Sequence, residues 1–320
     1  MVLKDLISLV KELPEESFAE AFELIRGVKA RFEASKESAP VICPRCGAEN
    51  CVKNGKQSGK QTYLCKGCRK GFAETSTSAI AGSHSSASVW KAVIYDTIQG
   101  ISIDETAANL EMTHQTVFNM RHKILHTLER AVQASPIMLE GTCEIDETYV
   151  LECEKGSEFT EYHHREPRKN GKASGPGLSS EHVCICTSIS SDNRCIATVV
   201  NRATPSKEEI EQVFGSRLED DTLLLADGNK SYNTLKDRCI VVRTHSEDLV
   251  RINRFHSFIK ERIAKYRGVA TIYLNRYAVL FADIFGKPDI AVKKIYDLMT
   301  ARNDSFTTLK EIYSEGLLDI

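Results

Sequence analysis

Two aspartates each follow a short apolar run that is typical of a buried strand, within the segments EIDE at 144–147 and LADG at 225–228. An acid on one strand beside an acid at the end of a neighbouring strand can share divalent cations, and hard oxygen ligands suit Mg²⁺ or Mn²⁺. Two such ions can activate a water or a 3′-hydroxyl and stabilise the leaving oxygen during phosphoryl transfer. Although a lone Asp beside a strand is more often a turn or cap residue, the pair of Asp146 and Asp227 predicts a metal-dependent catalytic site.

Four of the eleven cysteines form two matching pairs with two residues between the members of each pair: Cys43, Cys46, Cys65 and Cys68. This spacing lets two tight turns direct four thiolates at one ion, as in a tetrahedral structural Zn²⁺ site without an open position. Residues 50–64 between the pairs are predicted to form a hairpin that turns at Asn54-Gly55. The pattern predicts a zinc ribbon over residues 41–74, for which metal binding supplies the folding free energy. Four unrelated buried cysteines are the alternative.

Residues 86–135 show the apolar spacing of helices, with Gly100 ending the first of them. A short helix with small residues then precedes a turn at Glu111-Met112, and Thr113 is placed to cap a longer helix. This arrangement predicts a helix-turn-helix, in which the first residues of the second helix reach the DNA major groove. The predicted DNA-contacting residues are His114, Gln115, Asn119 and Arg121. An ordinary helical hairpin is the alternative.

Short β-type runs begin near residue 140, and a long helical stretch begins near Leu249. Their order, three strands, a helix, two strands and a helix, predicts a mixed α/β sheet of RNase H type over residues 140–286. A polar, glycine-bearing loop with a basic cluster at 165–172 separates the first two strands. The fold class is therefore multidomain: a small β zinc ribbon, an all-α helix-turn-helix and an α/β RNase H-like catalytic domain. Helical segments are expected at 1–38 and 287–320.

This order of modules resembles bacterial insertion-sequence transposases with an N-terminal CxxC zinc ribbon, a helix-turn-helix and a DDE-type RNase H-like domain, the ISXO-like DDE transposases. The resemblance covers residues 40–285 and is carried by the motifs CPRCG…CKGCRKGF, EIDETYV, ADGNKSY and INRFHSFIKERIAKYRGVATIYLNRYAVLF. It implies that Asp146 and Asp227 are catalytic and hold Mg²⁺ or Mn²⁺. It also implies a third metal ligand in the last motif, followed seven residues later by a basic residue.

Asn253 occupies the position of the third acid, and Lys260 lies seven residues further on. An Asn side chain offers one neutral carbonyl oxygen, which holds a cation less tightly than a carboxylate does. The resemblance group includes members with D-D-N in place of D-D-E, so Asn253 is compatible with an active enzyme. Spacing of seven places Asn253 and Lys260 two turns apart on one helix face, where Lys260 can contact a phosphate.

The resemblance implies a DNA transposase that binds the terminal inverted repeats of an insertion sequence and catalyses metal-dependent strand cleavage and strand transfer. Its expected partners are double-stranded DNA, both element ends and target, and further copies of itself. Basic residues near 165–172 and 251–267, Arg254 among them, are expected to hold backbone phosphates. Two alternatives remain: a non-catalytic DNA-binding regulator or decayed transposase, and a ribbon-bearing protein-interaction module.

The overall charge gives no reason by itself to expect nucleic acid, but the distribution of charge along the chain does. The net charge of the 320 residues is −2, yet residues 41–80 and 250–276 each contain seven Lys or Arg, and such local basic patches can bind phosphates. No apolar stretch approaches the ~20 residues that span a bilayer, and the first residues do not resemble a secretory signal. An odd number of cysteines disfavours a disulfide scaffold. The expectation is a reduced, cytoplasmic bacterial protein associated with the nucleoid, without a membrane partner.

Overall fold

The structure is a computed structural model, and it describes residues 41–57, 60–73, 76, 78–155, 173, 177–219, 221–301, 307–315 and 318. The predicted helical segment at 1–38 and the basic cluster at 165–172 lie outside the described residues. The chain divides into two compact units, Met1–Glu74 and Thr75–Ile320. No helix of the described residues is long and apolar enough to cross a membrane.

The first unit contains a small antiparallel sheet with the strand order β1-β2-β3. Its strands are β1 (Cys51–Gln57), β2 (Lys60–Cys65) and β3 (Gly71–Ala73). The prediction that the hairpin turns at Asn54-Gly55 is wrong, because β1 runs through both residues. The pairing register shifts between Lys53 and Lys56, and Gly55 has a φ of +76°. A glycine with positive φ is typical of a β-bulge, so these residues bend the strand and the chain reverses after Gln57.

The second unit begins with the predicted helices. Helix α1 spans Ala87–Gln99 and ends at Gly100, whose φ of 79° lets it close the helix C-terminus. Helix α2 spans Ile103–Asn109 and helix α3 spans His114–Ala134. The turn between them contains Glu111 at a φ of 52°. Ser102 and Thr113 cap α2 and α3 by accepting hydrogen bonds from the backbone N–H three residues later.

A five-stranded mixed sheet with the order β6-β5-β4-β7-β8 follows. Its strands are β4 (Thr142–Leu151), β5 (His182–Ser190), β6 (Cys195–Arg202), β7 (Leu223–Ala226) and β8 (Ile240–Arg243). Strands β4, β5 and β6 pair antiparallel, whereas β4 pairs parallel with β7 and β7 pairs parallel with β8. The prediction of a mixed α/β sheet is confirmed.

Helices cover both faces of this sheet. Helix α4 (Lys207–Phe214) lies on one face, and α5 (Val250–Lys265) and α6 (Leu274–Ile284) lie on the other. Helix α7 (Pro288–Thr300) packs on α1, α3 and α6, and α8 (Leu309–Ser314) packs on α3. Alternate residues of β5 divide between two cores: Val183 and Ile185 pack with α1, α3, α5 and α6, whereas Cys184 and Cys186 pack with α4 and the turn Lys230–Asp237. Helices α1 and α3 therefore share one core with a face of the sheet.

Candidate active site and cysteine cluster

The four predicted zinc ligands lie together in the first unit. Their sulfur atoms are all within 4.8 Å of one another, with Cys43 Sγ 3.7 Å from Cys68 Sγ and Cys46 Sγ 3.6 Å from Cys65 Sγ. Four thiolates about 2.3 Å from a tetrahedral Zn²⁺ ion are about 3.8 Å apart, so the cluster fits that ion. The backbone N–H of Cys68 also lowers the pKa of the Cys65 thiol, to about 6, which favours the thiolate that binds metal.

Asp146 and Asp227 lie side by side because of the strand register. In the parallel pair of β4 and β7, Ile145 is opposite Ala226, so the next residue of each chain segment is an aspartate. Asp227 directly follows the end of β7, and the backbone N–H of Asn229 donates to its Oδ1 at 2.9 Å. The turn after β7 thus fixes the Asp227 carboxylate next to that of Asp146.

Glu147 completes a group of three carboxylates. One oxygen of each of Asp146, Glu147 and Asp227 lies within 4.8 Å of the others, and Asn229 Nδ2 donates to Glu147 Oε1 at 2.5 Å. Burial, together with the neighbouring Glu147 and Asp227 carboxylates, raises the pKa of Asp146 to about 7. Burial also raises the pKa of Glu147. Three crowded carboxylates repel one another unless a cation neutralises them, and their oxygens suit a hard divalent ion.

Helix α5 is attached to β4 beside this group by Glu144. The two oxygens of its carboxylate accept from Arg251 Nε at 2.9 Å and from the backbone N–H of Ile252 at 2.8 Å. Leu249, which precedes the helix, makes no side-chain cap hydrogen bond. Glu144 therefore satisfies a backbone donor in the first turn of α5 and sets the position of this helix relative to Asp146.

His256 is the residue of α5 that the structure places against Asp146. His256 is 7% exposed. Its Nδ1 is 3.9 Å from Asp146 Oδ2, and its Nε2 is 2.7 Å from Thr187 Oγ1. Burial and the nearby Lys260 ammonium lower the pKa of His256 to about 4, so the ring is neutral at physiological pH. No role was predicted for this histidine from the sequence.

Asn253 and Lys260 lie on the same stripe of α5 as His256, one turn before it and one turn after it. Both side chains are exposed. Asn253 Nδ2 donates to the carbonyl of Ser246 at 2.8 Å, and no contact among the described residues joins Asn253 to Asp146 or Asp227. The structure thus supports the predicted common face, and places His256 at its centre.

The predicted DNA-contacting residues of α3 differ in exposure. His114 and Gln115 are exposed, and Gln115 Nε2 donates to Asn119 Oδ1 at 2.8 Å. Asn119 is partly buried and also accepts from the Tyr313 hydroxyl at 2.5 Å. The prediction for Arg121 is wrong in this structure, because its side chain is buried rather than directed at a groove.

Arg121 is 1% exposed and supports the packing of the helices. Its Nη2 donates to the carbonyl of Ile101 at 2.8 Å, and its guanidinium lies 5.6 Å from the centre of the Tyr266 ring. The helical repeat explains the difference, because Arg121 follows the buried Val117 by four residues and shares its face. Arg254, the other predicted DNA contact, is exposed.

An open cleft of about 430 Å³ borders the carboxylates at Asp227. Arg243 and His245 line the cleft, and Arg243 Nη2 donates to the carbonyl of Gly228 at 2.5 Å. A basic side chain beside a carboxylate group that suits divalent cations is compatible with a phosphate-bearing substrate. The place of Arg243 beside the carboxylates was not predicted, and its position at the end of the apolar run in β8 was the available signal.

One family of known domains and one relative are similar to this chain. Residues 138–282 match the family of the ISXO2-like transposase domain. An uncharacterised protein in transposable element ISH50 of Halobacterium salinarum is 26% identical over 264 residues, which cover 78% of this chain and 87% of that protein.

Solved structures of Mos1 transposase complexes also match. The pre-cleavage transpososome has a TM-score of 0.27 and 11% identity, covering 68% of this chain and 75% of that chain. The strand transfer complex has a TM-score of 0.30 and 13% identity, covering 68% and 74%. At these TM-scores the likeness supports no conclusion about the fold.

Proposed function

We propose that the protein cuts and joins DNA at the ends of its own mobile element, because residues 138–282 match the family of the ISXO2-like transposase domain. The reaction is metal-dependent cleavage at the terminal inverted repeats, followed by transfer of the exposed 3′-hydroxyl to target DNA. The observation that carries the proposal is the grouping of Asp146, Glu147 and Asp227 with oxygens within 4.8 Å of one another.

The sheet around this group supports an RNase H-like catalytic domain. The strands lie side by side in the order β6-β5-β4-β7-β8. The first three strands along the chain, β4, β5 and β6, pair antiparallel, and β7 and β8 run parallel to β4. Asp146 lies on the central strand, and Asp227 lies at the end of its parallel neighbour. This topology brings the two acids to one place, as the proposed chemistry requires.

Asp146, Glu147 and Asp227 are the residues that would hold Mg²⁺ or Mn²⁺. Bound ions of this kind activate the attacking oxygen and stabilise the leaving oxygen of an in-line displacement. Asn229 orients two of the carboxylates through its backbone and side-chain N–H groups. Lys260 is exposed on the stripe of α5 that faces the site, where its ammonium can contact a phosphate of the reacting strand. Asn253, on the same stripe, remains the proposed third metal ligand by its position in the family motif.

DNA recognition is assigned to the helices and to the exposed basic residues. Helices α2 and α3 with their short turn form a helix-turn-helix, and His114, Gln115 and Asn119 lie at the end of α3 that enters the groove in such motifs. Arg254 contacts a backbone phosphate. The cysteine cluster binds one structural Zn²⁺. Since two element ends are joined in one reaction, the protein works as a homo-oligomer on double-stranded DNA.

Nicking of a supercoiled plasmid that carries the element ends tests this function. Full-length protein with Mg²⁺ or Mn²⁺ is expected to nick at the ends, and Asp146→Asn and Asp227→Asn are each expected to reduce nicking by at least about 1,000-fold. Specific binding without nicking by the wild type would instead support a DNA-binding regulator. Absence of both binding and nicking would support a protein-interaction role for the ribbon.

A further inference from the structure

The position of one proton determines what His256 can bind. Thr187 Oγ1 is 2.7 Å from the backbone carbonyl of Asp146 and 2.7 Å from His256 Nε2. The carbonyl oxygen can only accept, so the single hydroxyl proton of Thr187 must lie on that contact. The hydroxyl oxygen is then left as an acceptor for His256. Its partner at 2.7 Å must donate, and Nε2 therefore carries the proton of the neutral ring.

The other ring nitrogen, Nδ1, consequently has a free lone pair. It lies 3.9 Å from Asp146 Oδ2, which is too long for a hydrogen bond. A neutral Nδ1 and an oxygen of the ionised Asp146 carboxylate are both electron-pair donors, so neither can satisfy the other directly. Two donors that face each other at this distance have the arrangement of two ligands to one cation.

We propose that His256 Nδ1 and Asp146 Oδ2 together bind a second divalent cation, on the α5 side of Asp146, in addition to the ion held by Asp146, Glu147 and Asp227. This inference rests on the proposed function, because it adds a ligand to the same catalytic site. Asp146 is then shared between two ions, one on the side of Asp227 and one on the side of His256. Sharing of one carboxylate is typical of two-metal phosphoryl-transfer sites.

The distance supports this assignment. Ligands about 2.1 Å from one ion are about 3 Å apart at a right angle and about 4.2 Å apart when opposed. The separation of 3.9 Å lies inside that range. The Nε2 hydrogen bond to Thr187 is the kind of outer contact that fixes the tautomer and ring orientation of metal-binding histidines. Glu144, through its bonds to Arg251 and Ile252, holds α5 at the distance that this pair requires.

The proposal also accounts for a neutral side chain at position 253. An imidazole one turn further along the helix supplies the strong ligand that an Asn amide does not. A nitrogen ligand also favours a transition metal such as Mn²⁺ over Mg²⁺. We therefore expect the second ion to be bound more tightly as Mn²⁺ than as Mg²⁺.

Electron paramagnetic resonance of Mn²⁺ bound to the zinc-loaded full-length chain tests the inference without any DNA. The wild type is expected to bind two Mn²⁺ ions and to show electron spin echo modulation from a coordinated ¹⁴N nucleus. Growth with ¹⁵N-labelled histidine should change this modulation to that of ¹⁵N. This part of the test needs no variant and so does not depend on how a substitution folds.

His256→Gln supplies the matched variant, because the Gln amide N–H can replace the Nε2 donor to Thr187 while the Nδ1 lone pair is lost. It is expected to keep one Mn²⁺, to lose the nitrogen modulation and to bind the second ion at least about 10-fold more weakly. His245→Gln, which alters a different histidine near Asp227, should keep both ions and the modulation. Metal-free melting temperatures of the variants report whether each one folds.

Three outcomes overturn the inference: absence of nitrogen modulation in the wild type, its persistence in His256→Gln, or loss of the second ion in Asn253→Ala but not in His256→Gln. The nicking assay reports separately on the proposed function. Nicking without nitrogen coordination refutes only the role of His256. Nitrogen coordination without nicking or joining refutes only the proposed function.

Discussion

The Glu144 carboxylate caps the first turn of α5 by accepting the backbone N–H of Ile252 at 2.8 Å. The two residues are 108 positions apart in the chain, and both are buried. One carboxylate on the central strand thereby fixes the helix whose next turns carry Asn253, His256 and Lys260. A side chain outside the predicted metal site thus contributes to the alignment of this helix with the acids of β4, together with the apolar residues that pack α5 into the core.

Replacing Glu144 by Ala should destabilise the second unit. The variant leaves the Ile252 N–H without its acceptor and removes the partner of Arg251, whose side chain is 31% exposed. We expect the free energy of unfolding in urea to fall by about 2 kcal/mol, discounted for that exposure. Glu211→Ala breaks the surface pair with Arg238 and should change it by only about 0.5 kcal/mol. Equal effects of the two substitutions would contradict the capping role.

Zinc binding should depend on four of the eleven cysteines: Cys43, Cys46, Cys65 and Cys68. Metal analysis of purified protein is expected to find one Zn²⁺ per chain, lost in Cys43→Ser and in Cys65→Ser. Cys51→Ser is the control, since Cys51 Sγ donates to the carbonyl of Ala48 at 3.4 Å and Cys51 is not one of the four clustered cysteines. A ribbon of this size derives its folding free energy from the metal, so chelation should expose the first unit to proteolysis. Retention of zinc in Cys65→Ser would argue against the site.

Acid should destabilise the protein through His122. The side chain is 2% exposed, and burial with the neighbouring Arg276 and Arg121 lowers its pKa to about 3. Below the ordinary histidine pKa of about 6.5, the unfolded chain takes up a proton that the folded chain refuses. Stability should therefore fall as the pH drops below about 6.5, by about 2 kcal/mol at pH 5 from this residue.

His122→Gln is the variant that isolates this contribution. The free energy of unfolding is measured between pH 7.5 and pH 5 in roughly half-unit steps. It should fall less steeply with decreasing pH in His122→Gln than in the wild type. His114→Gln, which removes an exposed histidine, should leave the wild-type slope unchanged. An unaltered slope in His122→Gln would mean that another group controls acid unfolding.

Gln115 and Arg254 should affect DNA binding in different ways. Gln115 is exposed near the start of α3 and is placed to read a base edge, so Gln115→Ala should weaken binding to element ends by about 1–3 kcal/mol and spare random DNA. Arg254→Ala should weaken binding to element ends and to random DNA equally, and should reduce the salt dependence of binding by about one released ion. Fluorescence anisotropy over a salt series distinguishes the two effects. A reversed pattern would contradict the assigned contacts.

Several features could be predicted because they depend on local spacing. The cysteine pairs, the cap at Thr113 and the C-terminal Gly100 are local signals that persist in the folded chain. Asp146 and Asp227 were also identified from their places beside apolar runs. Their adjacency needed only the parallel pairing of two strands.

Other features depend on contacts between distant parts of the chain. Glu144 holds α5 through Ile252, and His256 is held beside Asp146 by Thr187. The partners are more than 60 positions apart in the chain, and the sequence has no periodic signal for such contacts. Arg121 was assigned to DNA because it lies in the second helix of the predicted helix-turn-helix, yet it contacts the carbonyl of Ile101 and the ring of Tyr266 inside the helical core. Gly55 was assigned to a turn but lies in a bulge, and the sequence does not distinguish the two because both use the same positive φ.

Strand transfer of a pre-cut element end tests the central claim most directly. A labelled duplex that ends in the free 3′-hydroxyl of the terminal repeat is incubated with plasmid target, full-length protein and Mn²⁺. We predict joined products for the wild type, none for Asp146→Asn or Asp227→Asn, and none for a duplex that lacks the 3′-hydroxyl. Wild-type protein that binds the end specifically but joins nothing with either Mn²⁺ or Mg²⁺ would contradict the assignment of a transposase active site to these carboxylates.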